Sequence, residues 1–404
     1  MSQQDQHVVI VGGGLSGTVA ALALRRAGIP VTVLEAGRST AQASGKAPVV
    51  RLNPNAMDAL RAVDAHQEVI AASSPLLRVE SWSRSGRRVG HRLAADPTSE
   101  RGLPRLLACP RLTEVLGELA RHAGAEFRRG ERVVDVERVP GGVRAVLAGG
   151  AGVEGTALIG ADGADSTTRP LLNPEGPEPQ HCGTRTVCGF TPRPTFEPPP
   201  PEVLRLHPGA RALFAPLRDP STGGCCWSAS IPATAPMTGR ETDPQLWRDR
   251  LRELFAGDPS PAASAVEGAE TLLPHDDRAL PHLPRWRDDR VLVIGDAAHV
   301  AAPAAEQGAG MAVEDGVVLA RCLRDAPDVA AALGSYERLR RERVEAAVAL
   351  GAGSLRRAHE RGPKQLLRRL ADRLLSHVPG AHPVAGPKWV HDHHIRWDAP
   401  TVRP

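Results

Sequence analysis

The sequence predicts an α/β fold: a doubly wound parallel sheet, interrupted by an inserted, mainly antiparallel β-sheet and followed by C-terminal helices. Three observations predict it. The first residues alternate a β-rich run, a helical repeat and a second β-rich run. Short β-rich pieces separated by turn residues fill the middle of the chain. A buried-strand pattern returns at Val291 to Ile294, and the chain after it reads as helix.

In order, His7 to Val11 is the first β-rich run. Leu15 to Ala27 repeats apolar residues at helical spacing and stops at Gly28, and Val31 to Leu34 is the second β-rich run, completing a βαβ unit. Asn53-Pro54 opens a helix through Ala62, Leu76 to Leu93 reads as a hairpin around Ser85-Gly86, and Leu112 to His122 is an amphipathic helix. Val133 to Val139 and Val143 to Leu147 flank the Pro140-Gly141-Gly142 turn, and Ala157 to Gly160 is a short strand. Prolines crowd residues 174–201, which excludes helix and suggests a boundary or long loop. Strand-like pieces follow at 203–207, 211–217 and 225–231, then a helix from Gln245 to Phe255. From Val291 onward helix is expected nearly to Leu375, broken by glycines at 351–353 and by Gly362-Pro363.

The turn after the first strand is Gly12-Gly13-Gly14-Leu15-Ser16-Gly17. Gly12 permits a tight turn, Gly14 lets the backbone approach a pyrophosphate, and Gly17 allows close packing of helix on strand. The helix N-terminus at Leu15 and Ser16 presents its positive end to phosphates. Glu35 ends the second strand, where a carboxylate can accept from ribose hydroxyls, with Ala36 beside it. These features indicate a Rossmann-like dinucleotide site.

Two later segments narrow the choice. Gly160-Ala161-Asp162-Gly163-Ala164-Asp165-Ser166 with Arg169, and Gly295-Asp296-Ala297-Ala298-His299 with Pro303, Gln307-Gly308-Ala309-Gly310-Met311 and Glu314-Asp315, resemble the DG segment and second FAD fingerprint of the single-component, aromatic-hydroxylase-type (class A) FAD-dependent monooxygenases. The resemblance implies noncovalent FAD, NADH or NADPH as transient co-substrate, and O2, with a flavin C4a-hydroperoxide delivering oxygen to a small molecule. It places Asp296 at the ribitol and Gly308, Ala309, Gly310 and Met311 at the pyrimidine edge of the isoalloxazine. It puts Arg111 on the FAD chain, Val133 beside adenine and Asp162 near the pyrophosphate. It also implies a discontinuous FAD-binding domain (1–75, 105–174 and 276–330), a substrate-binding β-sheet domain (76–104 and 175–275) and a C-terminal helical segment (331–404). No catalytic side chain stands out, because the reactive atom belongs to the cofactor.

The sequence departs from the family pattern at Glu306, where a glycine is usual, and at Gly310, where an asparagine is usual. A carboxylate facing the reduced flavin would repel it, so Lys46 is expected to approach Glu306 and neutralise it. His299 is expected to be a packing or capping histidine, Glu314 and Asp315 to complement a helix dipole, and the arginines from 338 to 343 to form a solvated face. The run His391 to His394 is too compact for one metal ion, and no metal is expected. Trp227-Ser228-Ala229 keeps part of a halogenase motif. A halogenase, an epoxidase, a Baeyer-Villiger oxygenase and a non-catalytic FAD-binding partner in a biosynthetic complex are the alternatives.

Composition bounds the rest. A net charge of +4 from 50 basic and 46 acidic residues gives no nucleic-acid surface. Six cysteines show no CxxC pair and no His spacing suited to zinc, and read as reduced thiols. No apolar run reaches the roughly 20 residues of a membrane span, and no export signal opens the chain, so a cytoplasmic monomer or homodimer is expected. With one Tyr, five Phe and six Trp, the ligand pocket should be walled mainly by aliphatic side chains and take a medium-sized apolar ring.

Overall fold

Every side chain of Val8–Val11 is buried, because this strand sits at the centre of a sheet covered on both faces. The computed structural model describes residues 6–38, 49–95, 102–219, 221–359 and 387–401. In it a five-stranded parallel sheet runs Val291–Val293, Ala157–Gly160, Val8–Val11, Val31–Glu35, Glu126–Arg129. The register pairs Val8 with Val31 and Ala157, and Gly160 with Val293. The ends of the strands at Val11, Gly160 and Val293 therefore lie side by side, although they are far apart in the chain. That edge, at the carboxyl ends of parallel strands, is where a doubly wound sheet binds ligands.

The helix Leu15–Arg26 follows the first strand and is buried from Ser16 to Leu24. Its small residues let it lie between the sheet and the helix Gly308–Asp325, itself buried over most of its length. One apolar core joins these helices, the sheet and the start of the helix Val329–His359. The glycines at 351–353 do not interrupt that helix, contrary to the sequence expectation; Gly362-Pro363 lies outside the described residues.

A seven-stranded sheet forms the second layer, in the order Thr271–Ala279, Gln180–Thr191, Cys225–Pro232, Leu213–Arg218, Val203–Pro208, Arg78–Trp82, Arg88–Leu93. All neighbours are antiparallel except Val203–Pro208 and Arg78–Trp82. Gln180–Thr191, 12 residues long, lies inside the proline-rich stretch expected to be a loop. The prolines flank that segment and none falls within it, so its ladder donors are intact. Thr271–Ala279 also stays in this sheet past the expected boundary at residue 275.

Val187, Phe214, Trp227, Ala229 and Leu272 pack against the helices Pro244–Phe255 and Ala262–Glu267. By strand alternation Cys188, Leu213, Ser228 and Leu273 point the other way. Leu217, also on that inward face, packs with Leu76, Val79, Ala94 and Leu106 at the junction with the nucleotide-binding layer.

The segment 387–401 returns across the first layer. Val390 and Ile395 are buried, the Asp58 carboxylate accepts from Ile395 N at 3.1 Å, and the Asp325 carboxylate accepts from Thr401 N at 2.9 Å. No helix among the described residues is long and apolar enough to cross a membrane.

Candidate functional site

The glycine turn is built by contacts that leave no room for side chains. Gly12 has φ +102°, and a Cβ there would lie 2.4 Å from Ala161 O; a Cβ on Gly17 would lie 2.0 Å from Gly12 O. Gly14 is the N-cap of the helix and offers no side chain. Its unpartnered first-turn N–H groups and dipole therefore face the ends of the strands. The Glu35 carboxylate accepts from Gly13 N at 2.7 Å and Gly37 N at 2.6 Å, which fixes it across the turn.

A cleft of about 900 Å³ opens here, between the glycine turn and the edge of the antiparallel sheet formed by Thr271–Ala279 and its neighbour Gln180–Thr191. Gly12, Gly14, Glu35, Ala36, Val133, Asp162 and Asp296 all line it, as does Pro303. Leu15, Ser16 and Gly17 form the helix start behind the turn. The far wall comes from His181, His275, Asp276, Asp277 and Arg278, which carried no sequence signal. Among the described residues, the cations of the wall are Arg132 and Arg278, set against the carboxylates of Glu35, Glu131, Asp162, Asp165, Asp276, Asp277 and Asp296. A diphosphate in this cleft must be met mainly by backbone N–H groups and the helix dipole, as the glycine turn allows.

Most of those carboxylates are already occupied. Asp162 accepts from Ser166 Oγ at 2.6 Å and from Thr167 N and Thr168 N at 2.8 and 3.0 Å, so it shapes the DG loop as well as facing the cleft. Asp277 accepts from Thr184 Oγ1 at 2.6 Å, Asp276 from Arg185 Nε at 2.8 Å, and Asp165 from Arg278 Nη1 at 2.7 Å. Buried Arg169 donates to Ala164 O at 2.9 Å and Ala297 O at 3.4 Å, joining the DG loop to the turn that carries Asp296. Asp296 itself is open to the cleft and has no hydrogen-bond partner among the described residues. Crowding by the protein raises its carboxyl above the ordinary range, opposed by His299 and Arg278.

Behind Asp296 lies a buried charge cluster. The Asp315 carboxylate accepts from Gly295 N at 2.9 Å, lies 2.7 Å from His299 Nε2, and accepts from Arg340 Nε at 2.8 Å. Glu314 accepts from Arg340 Nη1 at 2.5 Å, Arg343 Nη2 at 2.7 Å and Asn55 Nδ2 at 2.7 Å. Glu314 and Asp315 have no exposed surface and Arg340 has 1%. Burial pushes the Glu314 carboxyl up, but the charges of Arg340 and Arg343 outweigh it and bring it down to about 2. His299 is the packing histidine expected from the sequence. Glu314 and Asp315 are not simple dipole partners, and Arg340 is not part of a solvated face: each closes an ion pair that water cannot reach. A signal existed, since Tyr336, Arg340, Val344 and Ala347 form one buried stripe at helical spacing.

The remaining expected residues are spread more widely. Gly308, Ala309 and Gly310 start the helix Gly308–Asp325, where first-turn N–H groups lack intrahelical partners, and Met311 is buried. A Cβ on Gly310 would lie 2.8 Å from Asn55 Nδ2, so the asparagine usual at that position would crowd Asn55. Arg111 opens the helix Cys109–His122 but is half exposed, paired with Glu114 at 2.7 Å, and outside the cleft wall. Lys46 lies outside the described residues. Glu306 adopts a left-handed φ of +52°; its carboxylate takes Arg51 Nη1 at 2.7 Å, and Arg92 Nη2 stands 3.8 Å away. His394 pairs with Asp58 at 2.8 Å while His393 is 3.9 Å from Glu314, so the histidine run divides between two carboxylates. No group suited to hold a metal ion occurs among the described residues.

Comparison with known proteins gives the same picture. An aurachin C monooxygenase/isomerase of Stigmatella aurantiaca is 30% identical over 355 residues, 85% of this chain and 87% of that protein. A kynurenine 3-monooxygenase of Salinispora arenicola is 30% identical over 413 residues, 94% of this chain and 86% of that protein. The crystal structure of Klebsiella pneumoniae HpxO complexed with FAD and uric acid superposes with a TM-score of 0.79 at 25% identity, covering 92% of this chain and 93% of that one. A family model described as FAD binding domain matches residues 5–350, and the chain accordingly belongs to that family, as an FAD-dependent flavoprotein monooxygenase.

Proposed function

We propose that this monooxygenase uses NAD(P)H and O2 to hydroxylate or epoxidise a medium-sized, largely apolar aromatic molecule. The observation that carries the reading is the cleft at the carboxyl ends of the parallel strands: a bare glycine turn on one side and, on the other, an Asp296 carboxylate with no protein partner. Both features fit FAD. Gly12 to Gly14 and the first turn at Leu15 to Gly17 would hold the diphosphate. Glu35, Ala36 and Val133 would border the adenosine, Asp296 would accept from the ribitol, and the helix start at Gly308 would face the pyrimidine edge. When bound, FAD supplies the redox chemistry, taking electrons from NAD(P)H and activating O2. The chain supplies position and dryness. Residues 1–75, 105–174 and 276–330 would carry the cofactor, and the antiparallel sheet would cover its reactive face.

The substrate side follows from the inward face of that sheet. Leu204, Leu206, Leu213 and Leu273 line it with Cys188 and Ser228, an aliphatic and small-polar wall suited to an apolar ring. The relatives named for aurachin C and kynurenine, and the neighbour holding uric acid, are consistent with an aromatic or heteroaromatic substrate. Trp227 weighs against a halogenase: its indole is buried on the opposite face, donating to Thr191 Oγ1 at 3.0 Å, away from the cleft. The test is NAD(P)H oxidation with a panel of phenols, indoles and polyketide-like rings under isotopically labelled O2, with products read by mass spectrometry. One labelled oxygen atom in a ring product is expected. A flavin-loaded protein that incorporates label into no member of the panel would refute the reading.

A further inference from the structure

We infer that the Arg51–Glu306–Arg92 cluster sets the reduction potential of the bound flavin, with Glu306 opposing reduction and the two arginines favouring it. The inference rests on the placement of the flavin proposed above. Pro303 lines the cleft, and Glu306 follows at the end of the Pro303–Ala305 turn, just before the helix Gly308–Asp325. Asn53 Nδ2 donates to Glu306 O at 2.6 Å and holds the left-handed turn in place. With the flavin placed against this helix start, a carboxylate at Glu306 would by itself disfavour a reduced anion.

The cluster answers that problem with excess positive charge. Arg51 comes from the strand Val49–Leu52 and Arg92 from Arg88–Leu93, so two different sheets each send a guanidinium to one carboxylate. Arg51 is fixed from two sides, by Glu306 and by donation to Ala94 O at 3.3 Å. Its side chain is 10% exposed, and its Nε has no partner. Taken together the three groups carry one net positive charge in a partly dehydrated place, where charge acts over distance with less screening. Reduction adds negative charge to the pyrimidine edge of a flavin. A net cation nearby draws the potential up, and the carboxylate limits the rise. Glu306 is half exposed, so its replacement leaves no buried void.

The experiment is the midpoint potential of the FAD-loaded protein, by equilibration with a reference dye, for the unmodified chain and for Glu306→Gln, Arg92→Gln and Arg51→Gln. Glu306→Gln should favour the reduced form about tenfold, a rise of about 30 mV for a two-electron couple. Arg51→Gln should move the potential down by a similar factor, and Arg92→Gln down by less, since its side chain is 33% exposed against 10% for Arg51 and water screens it more. Opposite signs for the acid and the bases are the signature, which loss of a packing contact would not produce. Arg92 is at the surface of an edge strand, so its variant reports even if Arg51→Gln fails to fold. Shifts below about twofold, roughly 9 mV, in both Glu306→Gln and Arg92→Gln would overturn the inference. Absence of flavin from the unmodified protein would instead overturn the reading beneath it.

Discussion

Replacing Arg340 by Met should destabilise the protein without touching the cleft wall. The guanidinium has 1% of its side chain exposed and donates to Asp315, Glu314 and Met311 O, so its removal takes a buried cation from two buried carboxylates, leaving Glu314 with Arg343 and Asn55 and Asp315 with His299 and Gly295 N. Breaking a buried pair in this way costs about 3–5 kcal/mol. With an unfolding entropy of roughly 2.1 cal/mol/K per residue, a chain of 404 residues should melt about 3.5–6 °C lower.

The deficit should depend on pH with a definite sign. In the native cluster Glu314 is held at about 2 against an ordinary value of 4.5, so it contributes stability above pH 4.5 that is lost as pH falls toward 2. Without Arg340, burial is opposed only by Arg343 at Glu314 and by His299 at Asp315, so both carboxyls rise from their native values and protonation relieves the variant first. Thermal melting followed by circular dichroism should show the gap between Arg340→Met and the unmodified protein narrowing as pH falls from 7 to 4. A loss of less than about 1 °C at pH 7, or a gap of constant size across that range, would refute the argument.

Acid precipitation of the flavin-loaded protein should release all yellow colour, since FAD is expected to be noncovalent; flavin retained in the pellet would reject that. Asp296→Ala removes a charge-assisted hydrogen bond worth roughly 1.5–3 kcal/mol, so FAD affinity, measured by quenching of flavin fluorescence, should fall by about one to two decades. Unchanged affinity would mean that Asp296 does not reach the ribitol. Gly17→Ala places a Cβ 2.0 Å from Gly12 O, an overpacking of about 1–3 kcal/mol, and should lower both the melting temperature and FAD binding; a neutral result would show that the helix can slide off the strand.

The first βαβ unit was legible because its signals are local: Gly12, Gly17 and Glu35 fall within one strand–turn–helix–strand passage. The second fingerprint was legible as a motif, and Asp296 does stand open to the cleft. What escaped notice depends on pairing across the chain. Gln180–Thr191 was hidden by the prolines around it, although β-sheet geometry restricts only those inside. Arg340 reads as solvated because its neighbours in sequence are charged, while the residues that decide its fate, Glu314 and Asp315, lie on another helix. The far wall of the cleft, His275 to Arg278, comes from a strand recognisable only once its partner Gln180–Thr191 is known. Glu306 is legible in the sequence as a charge where a small residue is usual, and in the fold it is paired. Its partners Arg51 and Arg92 lie more than 200 residues earlier in the chain, and nothing local marks them.

The parallel sheet also dictates an order of assembly during synthesis. Val8–Val11 and Val31–Glu35 are made in close succession and can pair at once, but the edge strand Val291–Val293 is made only after the whole antiparallel sheet. Until then the nascent protein holds the glycine turn with no Asp296 opposite it, and Glu314 and Asp315 lack the Arg340 guanidinium that pairs with them in the folded chain. Residues 387–401, which clasp Asp58 and Asp325, emerge later still. A ribosome-bound chain that stops short of Arg340 should therefore capture cofactor poorly and expose an incomplete edge to chaperones.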